Sequence, residues 1–294
     1  MVCVCILWGT TYLGIRMALE TFSPAELVCF RYLISGSLLL GIAKATGAHL
    51  PRGRELWMTA ACGLIVLGIG NGALAFSEDW IPSGLAALFA ATSPFWLVGI
   101  EALAPRGEQM HWPAVRGMLV GAAGIAFLVA PEIGNVSANR AVLGAFLLLQ
   151  FGCASWAAGS IAQRKIPARA HPFVSGAVQQ LATGIVYAVP VIFHPQPIRW
   201  SARGIGAVIY LMIFGSIVGY SAYIYAMDRL PVAIASIYTY VNPMIAVVLG
   251  WLVYREPFGV HEAIAMAMIF AGIALVKRAA SGHKAVRVAA ANEG

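Results

Sequence analysis

The chain has 294 residues, of which 60% are apolar and only 11% charged, with a mean hydropathy of +0.81. Soluble domains carry roughly 25% charged residues, and a globule of this size needs charged surface to stay in water. Composition therefore excludes a soluble enzyme, a disordered chain and a nucleic-acid-binding module, and describes a polytopic membrane protein.

A membrane-spanning helix needs about 20 predominantly apolar residues. In chain order the stretches that qualify are 2–19, 24–44, 56–77, 80–100, 113–130, 141–163, 172–193, 204–227, 230–254 and 260–276. The third, fourth and sixth to ninth are free of charge. The other four carry charge: Arg16 near the end of the first, Arg31 within the second, Arg116 and Glu262 in the first turns of the fifth and tenth. Charges in a terminal turn reach the interface by snorkelling. The expectation is an all-α integral membrane protein with ten transmembrane helices and a polar tail at 279–294. No basic segment precedes the first apolar run and no small-residue cleavage site follows it, so a cleaved signal peptide is not expected. Cys3, Cys5, Cys29, Cys62 and Cys153 all lie in apolar runs. Their odd number and spacing suit small fillers, not a disulfide framework or a zinc site. No cofactor and no metal are expected.

Lysine and arginine set the orientation. With the N-terminus in the cytoplasm, thirteen of the nineteen fall in inward loops and the tail, against five in outward loops (Arg16, Arg140, Arg199, Arg203 and Arg255). Arg31 lies inside a span. Both termini are thus expected to be cytoplasmic, and the net charge of +7 needs no nucleic-acid partner.

The two halves of the chain align at an offset of 148 to 149 residues. Trp8 pairs with Trp156, Arg16 with Arg164, Pro24 with Pro172, Asp79 with Asp228, Pro82 with Pro231 and Pro94 with Pro243. After one gap Glu108 pairs with Glu256, and Gly124-Ile125-Ala126 with Gly272-Ile273-Ala274. Matches of prolines and charges as well as apolar filler read as an internal repeat: a first unit at 1–131 and a second at 132–278. Five helices per unit is an odd number, so the second unit must enter the bilayer from the opposite side. Inverted repeats of this kind are the architecture of secondary transporters.

Several pieces of the sequence resemble the drug/metabolite transporter superfamily in its ten-helix EamA-type branch. They are Leu7-Trp8-Gly9-Thr10-Thr11-Tyr12, Phe30-Arg31-Tyr32, Thr92-Ser93-Pro94, Val241-Asn242-Pro243 and Arg255-Glu256-Pro257. Among branches the chain is most similar to bacterial aromatic amino-acid exporters. The resemblance implies a central cavity lined mainly by helices 1, 3, 4, 6, 8 and 9. It also implies export of small metabolites across a bacterial inner membrane.

Pro94 falls roughly 18 Å into the fourth span at 1.5 Å per residue, near the middle of a ~30 Å core. A proline frees the carbonyl four residues back, here those of Ala90 and Thr239. Non-helical backbone at this depth is tolerated only against protein or a wet cavity. Pro94 and Pro243 therefore read either as hinges beside a binding site or as kinks that only shape packing. Phe89 and Ser93 are four apart, as are Tyr238 and Asn242, so each pair shares a helix face. Trp96 extends the first face. Trp8 with Trp156, and Asn71 with Tyr220, are further equivalent pairs. The candidate solute-binding set is Trp8, Asn71, Phe89, Ser93, Trp96, Trp156, Tyr220, Tyr238 and Asn242, against the alternative of ordinary core packing. Gly68-xxx-Gly72 and Gly215-xxx-Gly219 read as close helix contacts. Arg31 reads as a structural side chain bonding to helix ends or headgroups, with a carboxylate anchor as the alternative. Glu108 and Glu256 read as caps of the helices that follow them.

No Asp, Glu, His or Lys falls near the middle of a span, so a carboxylate proton relay is not expected and lipophilic cations lack a counter-ion. Phosphorylated sugars would want buried cationic clusters. A neutral or zwitterionic solute with an apolar body fits, such as an amino acid. The alternative is a broad-specificity drug or metabolite facilitator of the same fold. An enzyme would need a catalytic constellation at depth, and GxSxG, HExxH and aspartate pairs are all missing from the sequence.

Overall fold

The structure is a computed structural model and describes residues 2–103, 112–130, 136–165, 171–229, 238–256 and 258–292. Among these residues every regular element is a helix. They are α1 (Val2–Ala18), α2 (Pro24–Ala45), α3 (Arg54–Glu78), α4 (Ser83–Leu103) and α5 (Trp112–Val129). There follow α6 (Val136–Lys165), α7 (Pro172–Phe193), α8 (Ala202–Tyr210, continued by Leu211–Gly219 and Tyr220–Arg229), α9 (Tyr238–Tyr254) and α10 (Val260–Asn292). By length and composition α2, α3, α4, α6, α7 and α8 can cross a membrane, and shorter apolar helices lie in α1, α5, α9 and α10. The ninth expected span opened at 230; residues 230–237 lie outside the described residues, as do Glu108, Pro231 and Pro257.

Helix starts follow their local chemistry. Ser23 opens α2 with a reciprocal capping box: its backbone N–H donates to Glu26 Oε2 at 2.9 Å, and its Oγ accepts from Glu26 N. Pro24 then sits in the first turn, where no N–H is needed. Ser201 Oγ accepts from Gly204 N at 2.9 Å at the start of α8. The fourth helix begins at Ser83, three residues later than the apolar run predicts, because Pro82 closes the preceding link in extended geometry.

Two features depart from plain α-helices. The middle of α3 (Leu64–Asn71) and of α8 (Leu211–Gly219) is π-helical. Wide turns of this kind leave main-chain carbonyls off the normal ladder, and neighbouring side chains reach such carbonyls here. Ser155 Oγ donates to Ile65 O at 2.7 Å and Tyr187 to Gly68 O at 2.8 Å. Trp8 Nε1 donates to Gly215 O at 3.2 Å and Gln180 to Ser216 O at 3.2 Å. In α4 the helix breaks at Ala91–Thr92 and resumes at Ser93.

The packing alternates direction along the chain. On α1 and α9, Cys5 meets Asn242, Gly9 meets Ile245, and Glu20 meets Tyr254, so these helices run parallel. On α4 and α6, Phe89 meets Phe146 and Thr92 meets Gln150, again in parallel. On α4 and α9, Ser83 meets Glu256 and Gly84 meets Val247 in opposite directions. The helices α2 and α7 pack together, as do α5 and α10. Close approach depends on glycine at these crossings: a Cβ on Gly117 of α5 would lie 2.7 Å from Gly272 O on α10. Ile34, Leu38 and Ile42 on α2, and Ile185, Val189 and Ile192 on α7, stay exposed. In water such stripes would be a liability; against lipid tails they are the outer surface of a bundle.

Candidate solute cavity

One cavity opens where α1, α2, α3, α4, α6, α8 and α9 meet, with roughly 850 Å³ of space free of protein atoms, its mouth included. Trp8, Asn71, Ser93, Trp156, Tyr220, Tyr238, Asn242 and Pro243 all line it. So do residues that the sequence did not single out for the site, among them Thr11, Tyr12, Tyr32, Cys153 and Ser216.

Its aromatic side is a cluster drawn from both halves of the chain. Trp8 stands edge-on to Trp156, with centroids 5.6 Å apart at 84°, and to Tyr238 at 5.3 Å and 88°. Tyr223, three residues past Tyr220 on α8, packs on Trp8 at 4.8 Å and accepts from Trp156 Nε1 at 3.3 Å. The polar side joins α2, α3 and α8. Arg31 Nε donates to Ser216 Oγ at 2.7 Å, and its NH1 lies 3.4 Å from Asn71 Oδ1. In the second half the aligned pair is Gln179 and Tyr220, and Tyr220 donates to Gln179 Oε1. With its amide nitrogen turned to the carbonyls, Asn242 donates to Cys5 O at 3.0 Å and Tyr238 O at 3.1 Å.

Phe89 and Trp96 lie off the cavity wall. Phe89 is fully buried against Phe146, at 5.2 Å. Trp96 Nε1 donates to Gln150 Oε1 at 2.9 Å, and its ring is partly exposed. For Phe89 the cause is the break at Ala91–Thr92, across which helical spacing no longer places it on the face of Ser93; Trp96 shares the helical segment of Ser93 and is held instead by Gln150. The carbonyl that Pro94 was expected to free is also occupied. Ala90 O accepts from Ser93 Oγ at 2.7 Å and faces the Cys153 thiol at 3.8 Å. Pro94 itself is buried in the first turn after the break.

Three further expectations are corrected. Arg31 is 4% exposed and lines the cavity, so it does not reach headgroups. The glycine pairs make room for side chains more than for helix backbones. A Cβ on Gly219 would meet Phe214 O at 2.7 Å and Trp8 Nε1 at 2.8 Å, one on Gly215 would meet Arg31 NH2 at 2.9 Å, and Gly72 faces the Tyr187 hydroxyl. Glu256 caps α4, not its own following helix: Oε1 accepts from Ser83 N and Oγ, and Oε2 from Gly84 N, each at 2.9 Å. Glu78 closes α3 yet is wholly buried, and neither carboxylate oxygen has a hydrogen-bond partner. Among the described residues no group of His, Cys, Asp or Glu is arranged to hold a metal ion.

An apolar-flanked helical bundle around a polar and aromatic cavity is the build of a small-molecule transporter. The chain belongs to the EamA-like transporter family, whose profile matches residues 1–130 and again 143–278. It is 34% identical over 275 residues to the uncharacterized inner membrane transporter YedA of Escherichia coli K12, covering 92% of this chain and 87% of that protein. It is 25% identical over 286 residues to a protein of Streptantibioticus cattleyicolor named probable terminal-alkyne amino-acid exporter, covering 95% of this chain and 92% of the other. A crystal structure with 23% identity superposes with a TM-score of 0.69 over 93% of each chain, which shows the same fold. The protein is thus a membrane transporter of the drug/metabolite transporter superfamily.

Proposed function

We propose that this transporter exports amino acids, aromatic or other neutral ones, or similar small metabolites across a bacterial inner membrane by alternating access. The observation that carries the reading is the cavity lining: tryptophan and tyrosine from both halves, faced by neutral hydroxyl and amide groups. Aromatic faces suit an apolar side chain and an ammonium group, and hydroxyl and amide donors suit a carboxylate. Trp8, Asn71, Ser93, Trp156, Tyr220, Tyr238 and Asn242 are the proposed solute contacts. Phe89 and Trp96 support that wall from behind, and Pro94 and Pro243 are the proposed hinges. The relative named as an amino-acid exporter supports the substrate class, and the YedA name supports the inner membrane.

Ten spans in two inverted five-helix units are part of the same reading. It is supported by α1 running parallel to α9, α9 opposite to α4, and α4 parallel to α6, so that α1 and its counterpart α6 point in opposite directions. The matched π segments in α3 and α8 support it too. With both termini cytoplasmic, a maleimide that cannot cross the membrane should label Gln196→Cys and not Ala48→Cys in intact cells.

The decisive experiment is uptake into liposomes holding the pure protein, with labelled amino acids, sugars and cationic dyes. Neutral amino acids should enter well above protein-free controls while sugars and dyes do not. Comparable entry of dyes would favour a broad-specificity facilitator. Entry of sugars alone would overturn the proposal.

A further inference from the structure

We propose that Arg31 is the anchor for a carboxylate on the transported solute, an inference that rests on reading the cavity as the solute site. Arg31 is buried, lines the cavity, and among the described residues its hydrogen bonds go to neutral groups, Ser216 Oγ and Asn71 Oδ1. A guanidinium carries five N–H donors in a planar fork, and the described residues accept from two. Ion pairs among the described residues are His49–Glu55 and Arg203–Glu20, so no carboxylate among the described residues pairs with Arg31. The described charges around it are Glu26, Glu78 and Arg16; Glu26 is taken up by Ser23 in the cap of α2, and Glu78 and Arg31 act on each other only through space. Glu78 lies about two turns beyond Asn71 on α3, off the cavity wall, and is bridged to neither arginine. Arg16 donates instead to the Glu78 main-chain carbonyl at 2.6 Å.

A buried cation that no carboxylate touches is costly. The fold itself does not demand one. At the aligned position of the second half stands Gln179, buried and neutral, which donates to Gln163 Oε1 at 3.2 Å and accepts from Tyr220. An uncharged side chain therefore serves the packing role. The charge at 31 is accommodated by Gly215, where any Cβ would crowd NH2. The planar fork pairs with a carboxylate in bidentate fashion, and one cation balances one negative charge. The solute class this describes is a monocarboxylate with an apolar body, an amino acid being one such case.

The test measures half-saturating concentrations for heat stabilisation of the purified protein by L-phenylalanine, L-phenylalaninamide and 3-phenylpropionate. In the wild type the two acids should bind about tenfold or more tightly than the amide. Arg31→Gln should bring the acids down to the amide's level while the amide changes less than about threefold, with Arg31→Lys in between. Should Arg31→Gln fail to fold, Ser216→Ala keeps the charge but frees Nε, and should weaken the acids relative to the amide. Equal binding of acid and amide by the wild type overturns the proposal. So does an equal loss for both in Arg31→Gln, which is what a packing role would give. If 3-phenylpropionate binds through Arg31 and L-phenylalanine does not, the carboxylate anchor stands and the amino-acid reading falls.

Discussion

Trp8 and Trp156 occupy aligned positions in the two halves of the chain and meet edge to face at its centre, with ring centroids 5.6 Å apart. Trp8 is the hub of this contact. It also touches Tyr220, Tyr223 and Tyr238, and its indole N–H holds a carbonyl of the π segment in α8. One ring thus couples the cavity wall to the irregular backbone behind it.

Trp8→Ala and Trp156→Ala are each expected to cost about 3–5 kcal/mol of stability. The double variant should lose less than the sum, by about 0.5–1.5 kcal/mol, because the two rings share a contact. Trp8→Phe keeps a ring but drops the bond to Gly215 O, and should cost about 1 kcal/mol more than its lost area alone. Unfolding of the purified variants in detergent checks all three. Full additivity of the two alanine variants would show that the rings do not act together.

The aromatic pair was legible in the sequence because the repeat offset and the apolar spans are properties of residue type alone. The break in α4 was not. Nothing in Ala91-Thr92-Ser93-Pro94 says on which side of the proline the helix gives way, and the expected face joining Phe89 to Ser93 rested on an unbroken helix. The π segments are silent in composition as well, since the partners of their carbonyls come from Trp8, Tyr187 and Ser155 on other helices. Arg31 was visible as a charge within a span, but its role depends on Ser216, which is 185 residues away. The cap made by Glu256 belongs to the same class: the donor amides sit on α4, far away in the chain.

Glycines on α8 should divide by what stands beside them. Gly219→Ala would press a methyl against the Phe214 carbonyl and the Trp8 indole, and Gly215→Ala against the Arg31 guanidinium. Gly206 on the same helix has open space around it. Gly206→Ala should therefore stabilise by up to about 1 kcal/mol through helix propensity, while the other two destabilise by about 1–3 kcal/mol as overpacked sites do. Thermal midpoints of the three purified variants give the order. A Gly219→Ala protein as stable as Gly206→Ala would show that both Trp8 and the Phe214 carbonyl give way freely.

Glu256 ties the N-terminus of α4 to the chain just after α9. Its carboxylate takes two backbone N–H groups and a hydroxyl, and a negative charge there also meets the positive end of the helix. Glu256→Ala should cost about 1–3 kcal/mol, since it leaves those donors unpaired. Glu256→Gln keeps one acceptor and should lose about half as much. Amide hydrogen exchange would localise the effect, with faster exchange expected at Ser83 and Gly84. Unchanged exchange there would mean that water replaces the carboxylate without penalty.

Glu78 poses the opposite case. The charges that act on it are Glu256, Arg16 and Arg31, yet its own oxygens are bonded to none of them. A carboxylate in that position bears the cost of burial without the return of a hydrogen bond. Glu78→Gln preserves the shape and removes the charge, so the variant should melt no lower than the wild type at neutral pH. The sequence reading also expects transport without obligatory proton exchange. Liposomes with and without a pH gradient should then give equal rates, in the wild type and in Glu78→Gln alike. A variant that melts normally but loses gradient-driven accumulation would assign the proton to Glu78, and would overturn the expectation that no carboxylate relay operates in this transporter.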